Sequence, residues 1–200
     1  MATIREGKKA ALVVVDVQVG VVSAAWDRDR VVGNVALAVS RARAQGAPVV
    51  WVQHMSDELP RESAPWQWVP ELVPAASDVR IHKQFNSGFE QTELDAELAS
   101  LGVAHVVLAG AQSNWCIRAT AHGALERGYD LTLISDAHTA ETMALDDGTT
   151  LAAADMVREL NVAIQWLEYP GRKNAVAAAA TINFDGAAEV ADLVASPVGS

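Results

Sequence analysis

Short runs of apolar residues recur along the chain, and they predict the strands of a parallel sheet. Residues 10–15 form a continuous run rich in β-branched side chains, which is typical of a strand buried on both faces. Residues 78–82 carry a weaker version of the same pattern. The other predicted strands are residues 48–53, 105–109, 131–135 and 162–166.

Segments with helical spacing lie between the apolar runs. Val31, Val35 and Val39 recur at helical intervals, and Gly46 is predicted to end this helix. Three further helices are predicted: one opened by Thr92 and ended by Gly102, one capped by Ser113 and ended by Gly128, and one over about residues 147–160. This alternation of strands and helices predicts an α/β fold, a Rossmann-like three-layer α/β/α sandwich around a parallel sheet of about six strands.

Two regions stand outside this alternation. Residues 55–76 contain four prolines and two tryptophans, which predicts a long ordered loop of the kind that often serves function. The main domain is expected to cover residues 1–170. Residues 171–200 form an Ala-rich C-terminal extension with a short helix near residues 187–195. We expect this extension to pack on the same domain or on a neighbouring subunit.

Composition narrows the classes of partner. The chain has 200 residues, half of them hydrophobic, and a net charge of −10. An acidic protein repels phosphate backbones and anionic lipid, so neither nucleic acid nor a membrane surface is expected as a partner. The single cysteine rules out an internal disulfide. The apolar stretch after Lys9 is too short for a signal peptide, and we expect a cytoplasmic protein.

Three polar residues follow predicted strands. Asp16, Lys83 and Cys116 come directly after or just beyond strand ends, and ligands of open parallel sheets bind at the carboxyl ends of strands. Each residue alone has an ordinary interpretation: a turn residue, a solvated charge and a small buried hydrophobe. Together they supply a base, a cation and a nucleophile. Burial would raise the pKa of Asp16, and a helix N-terminus would lower the pKa of the thiol.

These residues lie in motifs that resemble a known family. Asp16-Val-Gln18, Lys83 and Gly110-Ala-Gln-Ser-Asn-Trp-Cys116 resemble the isochorismatase-like cysteine hydrolases, over roughly residues 10–167. The resemblance implies the strand order 3-2-1-4-5-6. It also implies that the aspartate is the general base, the cysteine the nucleophile and the lysine a stabilising cation. Further matching segments are residues 63–66, 87–94 and 128–137.

The same resemblance implies the geometry around the nucleophile. It predicts a non-proline cis peptide bond between Ala111 and Gln112. The backbone N–H groups of Gln112 and Cys116 would then form an oxyanion hole. Family members that cleave the vinyl ether of isochorismate lack the cysteine, so its presence favours hydrolysis of a carbon–nitrogen bond. The predicted activity is hydrolysis of a small amide, lactam or ureido compound through a thioester, without a metal.

The chain departs from the family pattern at three points. Ser113 stands where threonine is common, and it can cap a helix equally well. Trp115 precedes the nucleophile, where it could contact a flat ligand or pack against the protein. The Asp-x-His…His metal set of nicotinamidases is not found, because His54 and Asp57 are spaced differently. We interpret His54 as a hydrogen-bonded residue at a strand end and expect neither a metal nor another cofactor.

Five further residues are candidates for substrate binding: Gln18, Trp26, Trp66, Phe89 and Trp115. Aromatic side chains could line a pocket for an aromatic or heterocyclic amide. Each aromatic residue could instead anchor a loop in the core; that interpretation is favoured for Trp26, Trp66, Trp68 and Phe89 taken singly, and for Trp115 the two are weighed evenly. The expected partners are a small-molecule substrate and further copies of the chain, as a homodimer or homotetramer.

Two other functions compete with the amidohydrolase. One is vinyl-ether hydrolysis of an isochorismate-like acid, which needs only Asp16. The other is an idle scaffold or binding protein that keeps the fold. Thiol alkylation separates the amidohydrolase from the scaffold. Cys116 of an amidohydrolase should react fast near neutral pH, whereas Cys116 of a scaffold should be inert.

Overall fold

A parallel sheet forms the middle layer of the structure, a computed structural model that describes residues 5–184. The strands are β1 (Lys9–Val15), β2 (Val49–His54), β3 (Val79–Lys83), β4 (Val103–Ala111), β5 (Asp130–Thr139), the short pair β6 (Met143–Ala144) and β7 (Thr150–Leu151), and β8 (Asn174–Ala177). The six strands of the main sheet lie in the order β3-β2-β1-β4-β5-β8, and every neighbouring pair is parallel. The predicted fold class and strand order are therefore confirmed.

The helices cover both faces of this sheet. They are α1 (Arg28–Ala44), α2 (Leu94–Ser100), a π-helical turn (Ser113–Ile117) that leads into α3 (Arg118–Glu126), and α4 (Ala153–Trp166). Successive side chains of β1 point to opposite faces. Leu12 and Val14 pack in an apolar cluster with α1, whereas Ala11 and Val13 pack with buried side chains of α2, α3 and α4. Within residues 5–184, none of the helices has the length and apolarity needed to cross a membrane.

The prediction of a strand over residues 162–166 is wrong, because these residues are the last turns of α4. Leu160 and Ile164 lie four residues apart on the buried face of that helix, while Val162 and Trp166 are 57% and 72% exposed. A short apolar run with β-branched residues does not by itself separate helix from strand. The helix also begins at Ala153, later than predicted, because the preceding residues form the hairpin of β6 and β7.

The sixth strand comes from the Ala-rich segment instead. Residues Asn174–Ala177 form β8 and pair with β5 at the edge of the sheet. The chain then crosses to α1, where the Ile182 carbonyl accepts hydrogen bonds from Arg41 and the Phe184 N–H donates to Gln45. This part of the predicted extension therefore belongs to the same sandwich. The predicted helix near residues 187–195 lies outside the described residues.

The long loop predicted over residues 55–76 is ordered against the segment that follows β1. The Val69 N–H donates to the Val17 carbonyl at 3.1 Å, and the Gly20 N–H donates to the Pro65 carbonyl at 2.7 Å. Gln18 and Trp68 form an isolated antiparallel bridge between the same segments. The loop therefore lies over the carboxyl edge of the sheet, beside the residue that follows β1.

Gly110 permits the close approach of β4 to the end of β1. Its φ is +130°, and its register partner is Val15. A Cβ atom at this position would lie 1.9 Å from the Val15 carbonyl oxygen, which no side chain can occupy. The contact brings Asp16, the residue after Val15, next to the turn that follows β4.

We therefore expect Gly110→Ala to abolish folding or to destabilise the protein by several kcal/mol, since backbone atoms must move. Gly33→Ala is the matched control, because a Cβ at Gly33 in α1 meets no atom within 4 Å. Alanine there should stabilise the protein by about 0.5–1 kcal/mol. Urea unfolding followed by circular dichroism measures both effects, and equal midpoints for Gly110→Ala and the wild type would contradict this account.

Candidate active site

Three strand ends meet at the carboxyl edge of the sheet. Asp16 follows β1, Lys83 is the last residue of β3, and Cys116 lies in the π-helical turn after β4. Asp16 and Lys83 are each 1% exposed. The backbone of Asp16 is in the left-handed region, with φ of 54°, and its N–H donates to the Val52 carbonyl at 2.8 Å. This conformation turns the chain out of the strand directly at the carboxylate.

Lys83 contacts both of the other predicted site residues. Its Nζ lies 2.7 Å from Asp16 Oδ2 and donates to Cys116 Sγ at 3.2 Å. The side chains of the ion pair have essentially no contact with solvent. The structure thus brings Asp16, Lys83 and Cys116 together around one ammonium group.

Burial has the largest effect on the pKa of Asp16. It raises the pKa of this carboxyl above its ordinary value, although the charge of Lys83 and hydrogen bonds with Lys83 and Cys116 act in the opposite direction. A carboxylate with a raised pKa holds a proton more readily at neutral pH than a solvated aspartate does. Asp16 can therefore accept a proton from a neighbouring acid.

The thiol does not have the lowered pKa that the sequence suggests. The pKa of Cys116 is raised to about 12: burial contributes most and the negative charge of Asp16 adds to it, while Lys83 acts in the opposite direction. Loss of hydration therefore outweighs the lowering expected from the helix N-terminus. At neutral pH the group is a thiol beside a carboxylate, so the arrangement can transfer the thiol proton to Asp16.

The turn before the thiol is held by its own backbone. The Ala111–Gln112 peptide bond is cis, as the resemblance implies. The Gln112 carbonyl accepts hydrogen bonds from the N–H groups of Trp115 at 3.0 Å and Ile117 at 3.1 Å. Its side-chain amide donates to the Val21 carbonyl at 3.3 Å. These contacts fix Cys116 relative to the segment that follows β1.

Ser113 does not cap the helix as predicted; it belongs to a buried polar chain. Ser113 Oγ lies 2.8 Å from His138 Nδ1, and His138 Nε2 lies 3.0 Å from Asn161 Oδ1. The Asn161 amide nitrogen donates to the Ser135 carbonyl, so Oδ1 faces the imidazole and accepts from Nε2–H. Nδ1 of His138 therefore accepts a hydrogen bond from the Ser113 hydroxyl. This chain ties the turn that carries Cys116 to β5 and α4, and residue spacing does not reveal it.

Gln18 joins three segments and has no hydrogen left for a ligand. It is fully buried, and its Nε2 donates to the His54 carbonyl at 3.0 Å and to the Trp66 carbonyl at 2.8 Å. Its Oε1 accepts the His54 N–H at 2.9 Å. The prediction that Gln18 binds substrate is thus corrected, because its amide holds the end of β2 and the long loop.

Two of the predicted pocket residues lie in the protein interior. Trp66 and Phe89 are 8% and 5% exposed. The Phe89 ring stacks on Tyr129 with 6.0 Å between the ring centroids, and the Arg127 guanidinium lies 5.0 Å from the Phe89 centroid. Low exposure favours the core interpretation for both residues, and for Phe89 ring packing supports it.

Two other predicted aromatic residues are accessible. Trp26 and Trp115 are 37% and 48% exposed. Trp26 is bonded through its backbone to residues at the carboxyl end of β5, and Trp115 directly precedes the thiol. Phe85, which the sequence analysis did not single out, is 45% exposed, and its carbonyl accepts from Lys83 Nζ at 3.2 Å. Trp115 and Phe85 are therefore accessible aromatic residues adjacent to the buried polar centre, whereas the Trp26 ring lies 5.7 Å from the Arg30 guanidinium.

His54 is a further polar residue at this centre. Its Nδ1 lies 3.3 Å from Lys83 Nζ. His54 ends β2, so the strand-end argument that singles out Asp16 and Lys83 applies to it as well. Within residues 5–184, no group of three or more His, Cys, Asp or Glu side chains is arranged to hold a metal ion.

Most of the chain matches the model of a known protein family. A family model described as the isochorismatase domain matches residues 10–166. The chain is 38% identical over 135 residues to a streptothricin hydrolase from Streptomyces noursei, a match that covers 64% of this chain and 53% of that protein. The chain spans about half the length of the curated relatives it matches.

Solved structures are similar over most of the chain. A crystal structure of an isochorismatase from Pseudomonas putida KT2440 is 25% identical with a TM-score of 0.78, covering 87% of this chain and 90% of that one. An N-carbamoylsarcosine amidase from Thermoplasma acidophilum is 26% identical with a TM-score of 0.67, covering 87% and 98%.

The buried His138 makes stability depend on pH. Burial lowers the pKa of His138 from 6.5 to about 4, so the ring is neutral in the folded protein. Below about pH 6.5 the unfolded chain takes up the proton first, and stability falls as pH drops toward 4. Replacing His138 by asparagine should reduce the loss in unfolding free energy between pH 7.5 and 4.5 by about 2–3 kcal/mol. Urea titrations at both pH values test this, and an unchanged loss in the variant would contradict it.

Proposed function

The chain belongs to the isochorismatase family, and we propose that it is a cysteine hydrolase that cleaves a carbon–nitrogen bond of a small amide, lactam or ureido compound. The observation that carries the proposal is the buried contact of one ammonium, Lys83, with both Asp16 and Cys116. A thiol, a carboxylate and a cation in mutual contact suit acyl transfer through sulfur. The streptothricin hydrolase and N-carbamoylsarcosine amidase relatives support carbon–nitrogen bond chemistry.

In the first half of the reaction, Asp16 takes the proton of the Cys116 thiol as Sγ attacks the substrate carbonyl carbon. The carbon–sulfur bond forms, and the carbonyl oxygen becomes an oxyanion. Asp16 then gives its proton to the leaving nitrogen, and the carbon–nitrogen bond breaks. The products of this half are a free amine or ammonia and a thioester on Cys116.

In the second half, Asp16 removes a proton from water as the water attacks the thioester. The carbon–sulfur bond breaks, the acid leaves, and the proton returns to the Cys116 sulfur. Lys83 stabilises the sulfur while it carries negative charge. The backbone N–H groups of Gln112 and Cys116 are our candidates for binding the oxyanion, since both belong to the turn that carries the thiol.

The accessible aromatic residues suggest the shape of the substrate. We propose that Trp26 and Trp115 contact it, because both expose ring surface at the carboxyl edge of the sheet. Flat aromatic or heterocyclic amides would stack on such rings. Independence from metal, homo-oligomeric assembly and a cytoplasmic location stay predictions.

Replacing Cys116 by alanine should lower turnover at least a thousandfold without unfolding the protein, because the nucleophile is lost. A panel of small amides, lactams and ureido compounds, assayed for release of amine or ammonia, identifies the substrate. Mass spectrometry of the wild-type enzyme quenched during turnover should show an acyl adduct on the peptide that contains Cys116. Substantial activity of Cys116→Ala would instead favour vinyl-ether hydrolysis through Asp16, and inactivity of the wild type on every compound would favour a scaffold.

Asp16→Asn should have opposite effects on turnover and on thiol reactivity. Loss of the base should lower kcat by about 10²–10⁴-fold. Loss of the negative charge removes a contribution that raises the pKa of Cys116, while Lys83 still lowers it, so iodoacetamide should alkylate the thiol faster at pH 8. Lys83→Met is the matched control, in which both rates should fall. Slower alkylation in Asp16→Asn would show that the carboxylate does not act on the thiol in this way.

A further inference from the structure

The ammonium of Lys83 has three N–H bonds and three hydrogen-bond acceptors, Cys116 Sγ, the Phe85 carbonyl and His54 Nδ1, while Asp16 contacts it as an ion pair. Asp16 Oδ2 lies 2.7 Å from Nζ, Cys116 Sγ and the Phe85 carbonyl oxygen both lie at 3.2 Å, and His54 Nδ1 lies at 3.3 Å. The proposed reaction gives a role to the carboxylate and the sulfur. His54 is the remaining side chain in contact with the ammonium, and no step of that reaction uses it.

The contact determines the protonation of the imidazole. An ammonium group only donates hydrogen bonds, so Nδ1 of His54 must be the acceptor and carries no proton. The ring is therefore the neutral tautomer with its proton on Nε2. Burial lowers the pKa of His54, and the charge of Lys83 lowers it further against the opposing charge of Asp16, which favours the same neutral form.

The backbone of His54 is held on both sides by one buried amide. Gln18 Oε1 accepts the His54 N–H, and Gln18 Nε2 donates to the His54 carbonyl. The same Nε2 also donates to the Trp66 carbonyl, so the amide is fixed by the long loop. The imidazole therefore extends from a rigid strand end that is tied to the segment after Asp16.

We propose that His54 is a positioning residue that holds the Lys83 ammonium between Asp16 and Cys116 during the reaction. When Asp16 takes the thiol proton, its carboxylate becomes neutral and attracts the ammonium less strongly. The neutral acceptors, His54 Nδ1 and the Phe85 carbonyl, keep their hydrogen bonds at that moment. Lys83 then stays beside the sulfur, where negative charge develops. This inference rests on the proposed function only for the reaction step; the contact itself acts on the thiol in any case.

A pair of variants with matched shape tests the proposal. His54→Leu places an apolar atom at the position of Nδ1, whereas His54→Asn places an oxygen acceptor there. His54→Leu should lower kcat on the best amide by about tenfold or more with little change in KM, the effect of losing one hydrogen bond to a charged group. It should also slow alkylation of Cys116 by iodoacetamide at pH 8 by a similar factor. His54→Asn should restore most of both rates.

Alkylation reports on the thiol without any substrate, and Cys116 is the only cysteine of the chain. If no compound of the panel is hydrolysed, the proposed function fails while the alkylation rates still test the role of His54. The proposal would be overturned if Cys116 of His54→Leu were alkylated at the wild-type rate. It would also be overturned if the leucine and asparagine variants lost the same fraction of the alkylation rate. His54→Ala gives the same comparison if the leucine variant does not fold.

Discussion

The buried ion pair between Lys83 Nζ and Asp16 Oδ2, 2.7 Å long, is the interaction on which the rest of the site depends. Removing two charges from water is costly, and neither charge could remain buried without the other. The pair in turn sets the chemistry of its neighbour. Asp16 raises the pKa of the Cys116 thiol and Lys83 lowers it, so the position of one ammonium controls how readily the sulfur becomes nucleophilic.

The sheet brings Asp16, Lys83 and Cys116 together because its strands are parallel and their carboxyl ends share one edge. β1 is central, with β2 and β3 on one side and β4 on the other, so three connections converge on a single point. Gly110 lets β4 approach the end of β1 closely enough to bring the turn that carries Cys116 to Asp16. Gln18 then fixes the end of β2 against the long loop. Main-chain geometry thus brings the residues of the site together, and the contacts between their side chains then set its chemistry.

The sequence was sufficient to predict the features that depend on strong local patterns. The apolar run before Asp16 marks a central strand, and strand ends carry Asp16 and Lys83, so their meeting follows from topology. The sixth strand could not be predicted, because β8 is Ala-rich while the end of α4 has the β-branched residues of a strand. The raised pKa of Cys116 and the saturated amide of Gln18 depend on burial and on partners distant in the chain, which residue spacing does not encode.

In the proposed reaction, a thiol whose pKa is raised by burial has a functional advantage. The thiolate is the form that alkylating agents and oxidants attack, and a resting thiolate would be consumed by them. Under the proposed mechanism the proton leaves only as a carbonyl carbon is attacked, which would confine reactivity to molecules that fit the site. That coupling requires the base to be already in contact with the thiol and the cation to stay in place while the base is neutralised. We propose that Asp16, which shares the Lys83 ammonium with Cys116, meets the first requirement and that the neutral acceptors around Lys83 meet the second.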